Sequence, residues 1–240
     1  MVSSRHQPAV DETVAALLGD GLQASGLVCD VRSAEAVQAL LDHTLATWGR
    51  LDVWVNNAGV SLGYRPFDEL PVEEIADVVA INLTGTMLGC RIALPYLREH
   101  GGVLLNMCGR GYRGEATPHT SAYTATKTAV ASLTRSLAEE NTDRPDVHVH
   151  ALVPGMVATD FYRDIKTSPR LAATAGNVDL ALNAFGVALD DVGTETAAFL
   201  ADAAWRDTGR IVNLLAGRRL ARGIALMSWY RINGRMKRDH

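Results

Sequence analysis

Short apolar runs alternate with longer stretches of helical period along this chain, and the alternation leaves few folds open. Leu27-Val-Cys29, Leu51-Asp-Val-Trp-Val55, Gly102-Val-Leu-Leu-Asn106 and Val147-His-Val-His-Ala-Leu-Val153 read as strands. They are short, apolar and rich in β-branched residues. Between them, residues 34–48, 72–98 and 122–140 carry apolar side chains at helical spacing, the second with an expected break near Asn82. A helix over residues 190–203 and a last strand, Arg210-Ile-Val-Asn-Leu-Leu215, complete the series. Strands and helices in turn imply crossovers that keep the strands parallel and set helices on both faces. The expected fold class is therefore α/β with a doubly wound parallel sheet. No repeat, linker or low-complexity run divides residues 1–240, which read as one domain with a basic tail over 217–240.

Bulk composition narrows the function. With 240 residues, 48% of them hydrophobic, the chain can bury a sizeable core. A formal net charge of -4 gives no reason to expect nucleic acid as a partner. No apolar run reaches the roughly 18 residues expected of a membrane span. Cys29, Cys90 and Cys108 are an odd count without metal-ligand spacing, which points to free thiols in a reducing compartment. The opening Met1-Val-Ser-Ser-Arg-His has no apolar signal core, so a cytoplasmic location is expected. Charge is unevenly spread: residues 217–240 carry seven Arg and Lys against Asp239 alone, a tail of +6 on a body of -10.

The chemistry-bearing feature is Ser121-Ala-Tyr-Thr-Ala-Thr-Lys127. Positions four apart share a helix face, so Tyr123 and Lys127 project into one site. A tyrosine near its ordinary pKa of ~10 is a poor proton donor at neutral pH, and a neighbouring ammonium favours the phenolate. The spacing alone also fits a half-exposed helix face; its surroundings select the functional reading. Asn56-Asn57-Ala58-Gly59 follows a strand and lets backbone pass close to a ligand. Asn82, in Ile81-Asn82-Leu83, is an amide inside a helix, where its propensity is poor. Val153-Pro154-Gly155-Met-Val-Ala-Thr159-Asp160 closes a strand with a turn at the same sheet edge.

These four elements, in this order, resemble the short-chain dehydrogenase/reductase family over residues 2–215. The resemblance implies a Rossmann-like sheet, a nicotinamide cofactor and a small carbonyl or alcohol substrate. It also implies that Tyr123 protonates the carbonyl oxygen while Lys127 holds the nicotinamide ribose and lowers the tyrosine pKa. Asn82 corresponds to the residue holding a relay water, Asp30 with Val31 to the adenine contact, and Asn57, Ala58 and Gly59 to the adenosine side. Pro154, Gly155, Val157 and Thr159 correspond to the segment facing the nicotinamide. Ser4 and Arg5 fall at the end of the strand where cofactor choice is made. Arginine pairs with a 2′-phosphate through its planar fork, which favours NADP(H). A homo-oligomer built through the helices of Asn82 and Tyr123 is expected on the same ground.

Two departures from the family pattern matter. A complete dinucleotide fold opens with a strand, a glycine turn and a helix, whereas here Met1-Val-Ser-Ser4 leads at once into a helix over residues 8–18. Gly19, Gly21 and Gly26 follow that helix and read as its stop and a turn. The chain is thus expected to start at the second strand of the sheet. The second departure is Asn106-Met-Cys-Gly109, which puts Cys108 and Gly109 where the family has a catalytic serine. Losing such a donor costs ~10²–10³ in rate. Cys108 itself reads as an inert buried thiol more readily than as a nucleophile.

A narrower resemblance lies in Trp54-Val-Asn-Asn-Ala-Gly-Val-Ser-Leu-Gly-Tyr-Arg-Pro66, Leu105-Asn-Met-Cys-Gly-Arg-Gly-Tyr-Arg-Gly114 and Pro154-Gly-Met-Val157. These are similar to the chlorophyll(ide) b reductase branch, which also reads Asn-Met-x-Gly at the serine. It implies reduction of an aldehyde on a large apolar molecule to the alcohol. Two readings stay open: an NADP(H)-dependent reductase, or a truncated or cofactor-free relative acting as a binding or oligomer partner. His148 and His150 share a strand face and read as packing residues. The segment Leu220-Ala-Arg-Gly-Ile-Ala-Leu-Met-Ser-Trp-Tyr-Arg-Ile232 reads as an amphipathic helix weakened by Gly223. Subunit packing, a bulky-substrate pocket or peripheral contact with an anionic membrane would each suit it.

Overall fold

A computed structural model describes residues 1–159, 161, 166–171 and 177–235. The strands are β1 (Val2–Ser4), β2 (Gly26–Val28), β3 (Val53–Asn56), β4 (Gly102–Met107), β5 (Val147–Val153) and β6 (Ile211–Asn213). The α-helices are α1 (Gln7–Gly19), α2 (Ala34–Trp48), α3 (Val72–Val79), α4 (Gly85–His100), α5 (Ser121–Glu140), α6 (Asn177–Phe185), α7 (Leu189–Ala201) and α8 (Gly217–Ile232). All strand pairs are parallel: β3-β4-β5-β6 form one sheet and β1-β2 a second. The Rossmann order 3-2-1-4-5-6 puts a strand between those two pieces. Among the described residues none lies there; a cavity of about 280 Å³ does, walled by Ser3 and Ser4 of β1 and by Trp54, Val55 and Asn56 of β3.

The central strands are apolar throughout because they are covered on both faces. Leu104 of β4 packs with Leu41, Trp54, Leu97 and Val149 on the α2 and α4 side. Its neighbours Val103 and Leu105 point the other way, to Leu152, Phe199 and Leu214 under α7. All three are 0% exposed; burying each stabilises the fold by roughly 1.5–3 kcal/mol. A third cluster joins Ala151 and Val153 of β5 to Val130 and Ala131 of α5, which clamps the helix of Tyr123 against the sheet.

Local signals explain the element ends. Ser33 caps α2, its Oγ accepting from the Ala36 N–H at 3.1 Å, and Gly49 closes it at φ 72°. The break expected near Asn82 is instead a π turn, Ala80–Thr84, so α3 and α4 run on as one helix. By length and composition Val72–His100 is long and apolar enough to cross a membrane, which the run-by-run reading of the sequence overlooked because the stretch joins two helices. It packs against α2, α5 and the sheet as a core helix. The helix α6 was not foreseen; it spans only Asn177–Phe185 and packs on α8, some 40 residues on. The tail helix begins at Gly217, and Gly223, unfavourable in helix propensity, has a packing role: a Cβ there would lie 2.2 Å from Phe185 Cδ1, so glycine is what lets α8 reach α6. Lys237 and Arg238 of the tail lie outside the described residues.

Candidate active site

Because β3, β4 and β5 are parallel, their carboxyl ends open on one side, and the segments that follow them meet there. The first is Asn57-Ala58-Gly59 after β3. Asn82 clamps its far end: the Val60 N–H donates to Asn82 Oδ1 at 2.8 Å, and Asn82 Nδ2 donates to the Val60 carbonyl at 2.9 Å. The same Nδ2 lies 3.3 Å from Thr126 Oγ1 on α5. Asn82 is 0% exposed, so its amide works inside the protein, and the π turn supplies the extra residue that directs it there.

Lys127 is the second component. It is 5% exposed, and its ammonium donates to the Met107 carbonyl at the end of β4 at 2.9 Å. Burial pulls its pKa down from the ordinary lysine value to about 8. The ammonium lies 5.7 Å from the Tyr123 ring centroid, and a Cβ on Gly59 would come within 3.5 Å of Nζ and 3.4 Å of Asn82 Oδ1. Tyr123, Lys127, Asn82 and Gly59 therefore share one corner. Phe161 closes over it, edge-on to Tyr123 with ring centroids 5.7 Å apart.

The start of α5 is fixed by threonines. Thr124 Oγ1 accepts from Thr117 Oγ1 at 2.6 Å and donates to the Thr120 carbonyl, and Thr128 Oγ1 ties Gly111 to the helix at 2.6 Å. At the serine-replacing position, a Cβ on Gly109 would sit 2.4 Å from Tyr123 Oη. The tyrosine thus occupies the ground a side chain would need. Cys108 is buried, with a pKa pushed up to about 11 by burial, and its thiol is directed at the Lys127 carbonyl. It is an inert thiol, as are Cys29 and Cys90, both free and buried.

The cavity between β1 and β3 collects Ser4, Arg5, Val31, Asn57, Ala58 and Gly59. Asp30 is not among its walls: Arg32 grips the carboxylate at 2.7 Å and holds its pKa down at about 2. Pro154, Gly155, Val157 and Thr159 follow β5; Thr159 N–H closes a turn on the Val157 carbonyl at 2.8 Å, and the strip is held by the Val187 N–H on the Met156 carbonyl. Asp160 lies outside the described residues. Sequence reasoning did not single out Thr126, the Val60 backbone or the Asn106 amide. Asn106 sits opposite Asn56 across the β3–β4 ladder and accepts from its Nδ2 at 2.8 Å, while its own Nδ2 donates to Thr134 on α5 at 3.0 Å. An asparagine in an otherwise apolar strand was the available signal. His148 and His150 bond to the carbonyls of Asp207 and Ala204, and no metal cluster exists among the described residues.

This geometry has relatives. The short chain dehydrogenase family profile matches residues 1–170. A chlorophyll(ide) b reductase NOL of Oryza sativa subsp. japonica is 41% identical over 141 residues, which is 57% of this chain and 41% of that protein. Across four such reductases of rice and Arabidopsis thaliana, the matched region spans 27% to 48% of the relative's length. A short chain dehydrogenase from Mycobacterium smegmatis superposes with a TM-score of 0.68 at 33% identity, over 90% of this chain and 80% of that one. A gluconate 5-dehydrogenase from Burkholderia cenocepacia, solved with NADP and tartrate, has the same fold, with a TM-score of 0.75 at 23% identity over 89% and 82%. The cytoplasmic location expected from the sequence does not stand, because the four reductases it matches are chloroplastic proteins. The opening residues had been weighed only for a secretory signal. With a parallel sheet, a tyrosine-lysine corner and a profile match over most of its length, the chain belongs to the short-chain dehydrogenase/reductase family, near the chlorophyll(ide) b reductase branch.

Proposed function

We propose that the protein is an NADP(H)-dependent reductase that converts a carbonyl, an aldehyde on a large apolar molecule, to the alcohol. The observation that carries this reading is the Lys127 ammonium, buried, bonded to the Met107 carbonyl and turned toward Tyr123. The residues suit a nicotinamide cofactor at two ends. The cavity beside β1 offers Ser4, Arg5 and the Asn57-Ala58-Gly59 backbone to an adenosine 2′-phosphate. The Tyr123 corner, with the strip from Pro154 to Thr159, suits the nicotinamide end. No glycine turn from strand to helix, the usual holder of a pyrophosphate, exists among the described residues. When bound, the cofactor supplies the hydride.

The chain's own residues supply the proton and the geometry. Tyr123 donates its hydroxyl proton to the carbonyl oxygen as that oxygen gains negative charge. Lys127 favours the resulting phenolate, and its lowered pKa of about 8 leaves it mostly protonated near neutrality. With glycine at 109 and the Cys108 thiol turned away, the tyrosine hydroxyl is the hydrogen-bond donor offered to the carbonyl. Asn82 keeps the Gly59–Val60 backbone in place beside it.

The rival reading, a cofactor-free binding partner, draws on the gap between β1 and β3. Calorimetric titration of NADPH, with NADH for comparison, separates the two. Binding that prefers NADPH and weakens in Arg5→Ala supports the reductase. A folded protein that binds neither nucleotide rules the reductase out for these 240 residues.

A further inference from the structure

The helix α8 has two faces of different chemistry. Its inner face is anchored: Tyr230 is buried with its hydroxyl accepting from Asn183 Nδ2 at 2.6 Å, Gly223 abuts Phe185, and Arg219 bridges to Asp191 and Glu195 on α7. The outer face is apolar and basic together. Ile224, Trp229 and Ile232 are 55%, 46% and 82% exposed. Arg218, Arg222, Arg231 and Arg235 are exposed and make no ion pair among the described residues. Arg218, Arg222, Ala225, Trp229 and Ile232 follow one another at alternating steps of four and three, which makes a single stripe. Arg235 lies over the Trp229 ring at 4.9 Å.

We propose that α8 docks this protein on the surface of an anionic lipid bilayer. Ile224, Trp229 and Ile232 enter the headgroup boundary, where an indole is at home, while the arginines meet lipid phosphates. Charge complementarity selects this occupant. The stretch from Gly217 to Arg235 contains no acidic residue, so a second copy packed face to face would set arginine against arginine. A nucleic acid would satisfy the arginines and leave the exposed isoleucines and tryptophan in water. The helix itself needs no lipid to form, since its inner face is already packed on α6.

Flotation of the 240-residue chain with phosphatidylcholine vesicles, with and without phosphatidylglycerol, tests this. The protein is expected to float with the phosphatidylglycerol vesicles, to be released by salt and to ignore pure phosphatidylcholine. Each arginine neutralised lowers the partition coefficient about fivefold, so the double variant Arg218→Gln, Arg222→Gln falls about 25-fold. Arg144→Gln, exposed and elsewhere on the surface, leaves it unchanged, and circular dichroism checks that both variants fold. The proposal is overturned by absence of flotation, by equal binding to both vesicle types, or by equal losses in the two variants. It is also overturned if sedimentation reveals a dimer that Trp229→Ala dissociates, which would make the face a subunit contact.

Discussion

Lys127 carries a charge in a place that resists it, and replacing it with methionine, a side chain of similar length, measures how much. Its pKa falls from 10.5 to about 8 through burial. At about 1.4 kcal/mol per unit, holding the ammonium inside the folded chain costs about 3 kcal/mol relative to the unfolded chain. Against this stands its bond to the Met107 carbonyl at 2.9 Å, worth about 1.5–3 kcal/mol for a charged donor. Near neutrality, Lys127→Met should therefore fold with stability close to wild type or slightly above it, although it removes the residue proposed to tune Tyr123. The pH dependence is the sharper test. Between about 8 and 10.5 the unfolded lysine keeps its proton while the folded one has lost it, so wild-type stability from this group rises with pH, by up to about 1.4 kcal/mol per unit. The contribution is fully present above the unfolded value and lost as pH falls through 8. Methionine has no such dependence. Urea denaturation of both proteins from about pH 7 to about pH 10 should thus show little change up to about pH 8 and the wild type gaining on the variant above it. A difference that stays flat, or that moves toward the variant as pH rises, refutes the buried-ammonium reading.

Three further substitutions probe contacts that the fold depends on. Gly109→Ala puts a Cβ 2.4 Å from Tyr123 Oη; moving the hydroxyl by about 1 Å to relieve this should cut kcat/KM for carbonyl reduction about a hundredfold, and unchanged initial rates would contradict it. Asn106→Ala strips partners from Asn56 and Thr134 in a buried network, for an expected loss of about 3 kcal/mol in urea titration; a loss under about 1 kcal/mol would mean the amides re-pair. Gly223→Ala should gain about 1 kcal/mol in helix propensity, yet the 2.2 Å approach to Phe185 makes the net effect a loss of about 1–3 kcal/mol. A raised thermal midpoint would show that α6 and α8 slide apart freely.

Much of the candidate site is legible in the sequence because its contacts are local. Tyr123 and Lys127 meet through helical spacing, and the strand ends announce themselves by Asn-Asn-Ala-Gly and Pro-Gly. Residues acting through distant partners left weaker traces. Asp30 reads as a ligand contact, and spacing gave no sign that its neighbour Arg32 would pair with the carboxylate. Gly109 read as a missing donor; its second consequence, that Tyr123 stands in the space, needs α5 packed on β4. Gly223 reads in sequence as a weak point of its helix, and its packing role needs Phe185 of α6 beside it.

Periodicity and short-range spacing were enough to give the parallel α/β layering and the helix that pairs tyrosine with lysine, while the family came through the resemblance of its motifs. Tertiary structure alone decided which polar groups face inward. The Asn82 amide closes on Val60, the Lys127 ammonium on Met107 and the Asn106 amide on Asn56. Each pairing joins segments 20 to 50 residues apart, and a buried polar group takes whichever partner the packing brings within reach, since leaving it unpaired costs more than any local preference can offset.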